Sequence, residues 1–131
     1  MDAFALAVVR LTLELPRTGA AEVLGRQLLR AGTSVAANYR AACRARSRRE
    51  FVARLGIVEE EADESGFWME LLAKSGMVAP LRVRTLRTEA NELVAIAVSS
   101  IRTARGARRS IPHSPFPIPH SELPIPHSDV H

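Results

Sequence analysis

Apolar residues recur at alternating steps of three and four along most of the first 105 positions, the spacing that keeps side chains on one face of an α-helix. The longest run is Phe51, Leu55, Val58, Ala62, Ser65, Met69 and Leu72. It follows directly on Ser47-Arg48-Arg49-Glu50, the S-x-x-E spacing of a capping box. In that motif the Ser47 hydroxyl takes the N–H of Glu50, and the Glu50 carboxylate returns to the N–H of Ser47. Gly76 is the natural stop, because glycine adopts the left-handed conformation at a helix end without a Cβ penalty. The pattern predicts a helix over residues 47–75, a rod roughly 40 Å long at 1.5 Å per residue. A rod of that length needs a partner of similar length.

The preceding segment supplies one. Leu24, Leu28, Ala31, Val35, Asn38 and Ala42 repeat with the same step, and Gly25, Gly32, Ser34, Ala36 and Ala37 lie on or beside them. Each interior glycine costs a helix about 1 kcal/mol against alanine, a cost that close backbone packing can offset. Asn38 is the one polar residue in line with this stripe. It reads as a buried amide that fixes helix register through a hydrogen bond to a neighbour, with contact to a ligand as the other reading. An earlier helix is predicted over residues 3–15, with Phe4, Val8, Leu11 and Leu15 on one face and Pro16 ending it. The second helix then runs from about Ala20 to Arg44. A fourth begins at Pro80, a residue suited to a first turn. It carries Val83, Leu86, Ala90, Leu93, Ala97, Ser100 or Ile101, and Ala104, and Gly106 is expected to close it. Four helices with short turns make an all-α, antiparallel up-down four-helix bundle over residues 1–106.

Composition changes abruptly beyond Gly106. Six of the eight prolines and all four histidines lie there, and Ile-Pro-His-Ser recurs at 111–114, 118–121 and 125–128. Proline at this density excludes helix and sheet interiors, so residues 107–131 read as a disordered, low-complexity Pro/His/Ser tail. Histidines seven apart in such a chain present no preformed metal geometry. No window approaches a membrane span, and the N-terminus lacks the basic start of a secretory signal. Cys43, the single cysteine, reads as a small buried hydrophobe in a reducing, cytoplasmic setting.

Charge changes the picture more. The tail is neutral, with Arg108 and Arg109 against Glu122 and Asp129, so the net +4 belongs to the bundle. Arg40, Arg44, Arg46, Arg48, Arg49 and Arg54 crowd the turn between the second and third helices. Such a cluster makes one end of the bundle positive, the electrostatic footprint of a surface for phosphate backbones. No aromatic residue is interleaved for base stacking, so contact with RNA or DNA would be to backbone. A solvated face, or pairing between subunits, is the plainer reading. Glu59, Glu60, Glu61, Asp63 and Glu64 follow as an acidic block with arginines of another helix or subunit as partners.

Catalytic signatures do not appear. There is no glycine-rich phosphate loop, no Cys-x-x-Cys and no H-E-x-x-H, and the Glu-x-x-His pairs of di-iron bundles are excluded because every histidine lies in the tail. No catalytic residue, metal or cofactor is assigned. Phe67-Trp68 reads as packing, one ring serving the core and the other facing a subunit. Val9, Leu13, Val52, Leu71, Val94 and Val98 lie off the main stripes, a surplus of apolar positions that points to homo-oligomerisation.

Three segments together resemble a known family. Arg30-Ala31-Gly32-Thr33-Ser34-Val35-Ala36-Ala37-Asn38-Tyr39-Arg40-Ala41, Ser47-Arg48-Arg49-Glu50-Phe51 and Glu61-Ala62-Asp63-Glu64-Ser65-Gly66-Phe67-Trp68-Met69-Glu70-Leu71-Leu72 are similar to successive motifs of the four-helix bundle proteins encoded within 23S ribosomal RNA intervening sequences. The chain departs at Arg40-Ala41-Ala42-Cys43, where many members carry an acidic residue and a glycine, so no role of that carboxylate is carried over. The resemblance covers residues 4–105. It implies an antiparallel bundle assembled as a ring of five subunits and leaves the biochemical role open. The fold is also that of the accessory proteins of diversity-generating retroelements, basic pentamers that work with a reverse transcriptase and nucleic acid, an analogy that transfers no residues. The expectation is therefore a non-enzymatic cytoplasmic homopentamer that contacts nucleic acid through its arginine-rich end. A purely structural or protein-interaction ring, and a metal enzyme built on the Glu59–Glu64 carboxylates, are the alternatives.

Overall fold

The structure, a computed structural model, describes residues 1–110. Four helices occupy it: α1 (Asp2–Leu13), α2 (Gly19–Cys43), α3 (Arg48–Lys74) and α4 (Pro80–Ser110). Cross-helix contacts fix the antiparallel sense. Gly25 and Gly32 of α2 face Leu15 and Val8 in descending order, and Arg30 and Asn38 of α2 reach Glu61 and Arg54 of α3, again in descending order. The expected Pro-rich tail lies outside the described residues from 111 onward.

The helix ends follow local chemistry. Thr18 caps α2, its hydroxyl accepting from the Ala21 N–H at 3.1 Å, and Ser47 caps α3, accepting from the Glu50 N–H at 3.0 Å. The return bond of the capping box differs from expectation. The Glu50 carboxylate takes the N–H of Arg46 at 3.2 Å instead of that of Ser47. Both exchanges hold the turn in place, and Ser47→Ala should lower stability by about 1 kcal/mol, read as a lower urea midpoint at unchanged slope. Gly76 has φ +80°. Around it the Met77 N–H reaches the Leu72 carbonyl and the Gly76 N–H the Ala73 carbonyl, each at 3.1 Å, the Schellman arrangement of a closed helix end. Gly106 does not behave this way. The backbone stays helical through it to Ser110, because a glycine ends a helix only where it turns left-handed.

All seven positions of the α3 stripe are buried. The buried Ser65 hydroxyl is satisfied by donating to the Glu61 carbonyl at 2.8 Å. On α4, Ser100 and Ile101 are both buried. The α2 stripe needs a correction. Leu24 and Asn38 are only half-buried, while Gly25, Gly32 and Tyr39 are buried beside Leu28, Ala31, Val35 and Ala42. α2 packs against α1 as well as α3, so its buried arc is wider than one stripe and is centred one residue on. Asn38 sits at the edge of that arc. Its amide donates to the Ser34 carbonyl and hydroxyl at 2.9 and 3.0 Å, and its Oδ1 accepts from Arg54 Nη1 at 3.1 Å.

α1 is short, about 18 Å at 1.5 Å per residue. It lies close on α2 because the two glycines make room: a Cβ added at Gly32 would stand 2.8 Å from Val8 Cγ1. Its far end is tied to α4 by a forked pair between Arg82 and Glu14, at 2.7 and 2.8 Å. The hydrogen bonds from Arg82 hold the Glu14 carboxyl below its ordinary value.

Candidate nucleic-acid interface

One end of the bundle gathers the C-termini of α2 and α4 with the N-terminus of α3. The turn 44–47 crosses it, anchored by the buried Ala45. Arg40, Arg44, Arg46, Arg49 and Arg54 are exposed there, and Arg48 is half-buried. The reason is the register of α3: with Phe51, Leu55 and Val58 directed inward, position 49 faces away from the core and position 54 stands at the edge of the buried face, toward α2. Arg40 lies in the last turn of α2 and Arg44 is its C-cap, so both also complement the negative end of that helix. Arg54 is drawn back along α3 by Asn38, at the edge of the cluster.

The antiparallel return of α4 adds a residue that the sequence reading missed. Arg48, Arg49, Val52 and Arg105 line one cleft of about 490 Å³ between α3 and α4. Arg40, Arg44, Arg46 and Arg54 lie outside that cleft. Its signal was available: an up-down order places the end of α4 beside the start of α3. Cys43, close by, is half-buried, and burial pushes its thiol up, only partly opposed by the neighbouring Tyr39 hydroxyl and Arg44 charge. Burial that raises the thiol in this way lowers its share of reactive thiolate.

The acidic block divides between two sides of α3: Glu61 and Glu64 face α2, while Glu59 and Glu60 lie toward α4. Arg30 bonds both Glu61, at 3.0 Å, and Glu64, and the Trp68 indole N–H donates to Glu64 Oε2 at 2.9 Å. Two of the five carboxylates are thus engaged within the chain. Among the described residues no group of three or more His, Cys, Asp or Glu side chains is placed to hold a metal ion. Trp68 packs against the core while Phe67 stays exposed, their rings meeting edge to face at 4.9 Å. Among the described residues, no helix is long and apolar enough to cross a membrane.

The description "23S rRNA-intervening sequence protein" matches residues 1–99. The chain belongs to the 23S rRNA-intervening sequence protein family. A crystal structure of a protein of unknown function from the S23 ribosomal protein family of Bacteroides thetaiotaomicron has the same fold. It is 33% identical, with a TM-score of 0.72 over 77% of this chain and 94% of that one. No curated protein matches. The family match takes in Arg40 to Arg54 and stops before Arg102 and Arg105, so the α4 side of the cleft lies beyond it.

Proposed function

We propose that this member of the 23S rRNA-intervening sequence protein family is a non-enzymatic, cytoplasmic scaffold, assembled as a homopentamer, that contacts the backbone of RNA or DNA through its arginine-rich end. The observation that carries this reading is the convergence of arginines from separate elements: five exposed side chains on the α2–α3 turn and its flanks, with Arg105 of α4 joining Arg48 and Arg49 in one cleft. Cations held on rigid helix ends meet phosphates at fixed spacing, and counterion release makes the contact strongly salt-dependent. Among the described residues the cleft holds no aromatic side chain, so the contact is sequence-tolerant.

The test is a titration of a labelled RNA hairpin across a salt series. Arg46→Glu with Arg49→Glu alters two side chains that already face solvent and lie outside the α3–α4 groove, and so leaves the fold intact where Arg48→Glu would disturb a half-buried position. Each lost phosphate contact should reduce the slope of log K against log salt by about 1, so the double variant should lose about 2. An unchanged slope removes the nucleic-acid reading.

A further inference from the structure

α1 is apolar on both sides. Its inward face is Phe4, Val8 and Leu11, all buried. Directly opposite run Asp2, Leu6, Val9 and Leu13, again at three- and four-residue steps. Leu6 is 53% and Leu13 79% exposed. A helix that is apolar all round belongs in an interior, and within one chain half of α1 lacks that interior.

A receptor for this stripe exists elsewhere on the same molecule. The groove between α3 and α4, about 640 Å³, has Val52, Val98 and Ile101 on its walls and Gly56 beneath. A Cβ at Gly56 would meet nothing within 4 Å, so the groove is open where a side chain would enter. Arg102 and Arg105 stand at one end of it, and Glu59 and Glu60 at the other. We propose that the outward stripe of α1 seats in the α3–α4 groove of a second copy of the chain.

Charge and spacing select this occupant. The stripe starts at an acid, Asp2, and Arg10 flanks its far half, eight residues on and about 12 Å away along the axis. From Val52, at the arginine end of the groove, to Glu60 is also eight residues, about 12 Å. Asp2 therefore meets Arg102 while Arg10 meets Glu59 and Glu60, and Leu6, Val9 and Leu13 cover Val52, Gly56 and Val98. Among the described residues none of Arg10, Glu60, Arg102 and Arg105 is engaged in an ion pair within the chain. The two surfaces differ, so the contact is head-to-tail, the kind that closes into a ring. The inference rests on the assembly part of the proposed function and names the surfaces that carry it.

Light scattering on three full-length chains tests it. The native chain should be oligomeric at tens of micromolar. Leu6→Glu with Leu13→Glu spoils the stripe and keeps the groove, and Gly56→Arg fills the groove and keeps the stripe. Each should fall to the mass of one chain with unchanged helical circular dichroism. Mixed in equal amounts, the two should form a species of twice that mass and stop there, since one live stripe meets one live groove. An oligomer that survives Gly56→Arg overturns the groove assignment while leaving assembly intact, as does a mixture that stays at one-chain mass. A native chain that is itself monomeric removes assembly and this contact together.

Discussion

Leu28→Ala should lower the stability of the bundle by about 3 kcal/mol, within the 2–5 kcal/mol range for truncating a buried leucine. Leu28 is wholly buried on α2, the helix that packs on both α1 and α3. Removing its isopropyl group forfeits the transfer free energy and leaves a void that the flanking helices cannot collapse into, since each is held by neighbours of its own. For a domain of this size that corresponds to a fall in Tm of roughly 10–25 °C. It should be measured by calorimetry at fixed protein concentration, because association shifts Tm by mass action. A loss below about 1 kcal/mol would mean that α2 does not occupy the centre of the core.

Gly32→Val should cost about 2–3 kcal/mol, although valine is a better helix former than glycine. The added carbon would meet Val8 Cγ1 at 2.8 Å and Cγ2 at 3.0 Å. Val8 is β-branched and stiff at χ1, so it cannot swing aside, and relief must come from moving α1 off α2, the ordinary penalty of overpacking. The other glycines grade the effect. At Gly25 the obstacle is Leu15 Cδ1, the end of a flexible side chain, so alanine there should be close to neutral. At Gly66 nothing lies within 4 Å, and alanine should gain up to about 1 kcal/mol from helix propensity alone. Denaturant midpoints of the three variants should fall in that order. Gly32→Val and Gly66→Ala moving stability in the same direction would show that α1 does not approach α2 this closely.

α3 was legible in the sequence apart from the return bond of its capping box, which goes to Arg46 and not to Ser47. Its cap, its seven core positions and its glycine stop are each set by neighbours within a few residues, and a helix with one strong apolar stripe leaves one way to face the core. α2 was legible in extent but misread by a residue in orientation, because Asn38 and Tyr39 are adjacent and the second contact, with α1, decided which of them turned inward. Arg105 goes unseen where charge is weighed by proximity along the chain, since it lies more than fifty residues from Arg48 and only the up-down order of the helices points to it.

The sequence by itself determined the number of helices, the limits of α2 and α3, the family, and the concentration of arginine at the α2–α3 turn. These follow from hydrogen bonds and periodicities that close within one or two turns. The tertiary structure alone decided that Arg105 completes the cleft, that Arg30 occupies Glu61 and Glu64, and that α1 keeps an apolar face turned to solvent. Each of those depends on which helices become neighbours across the bundle, and that choice is made by packing between distant segments, which no local period encodes.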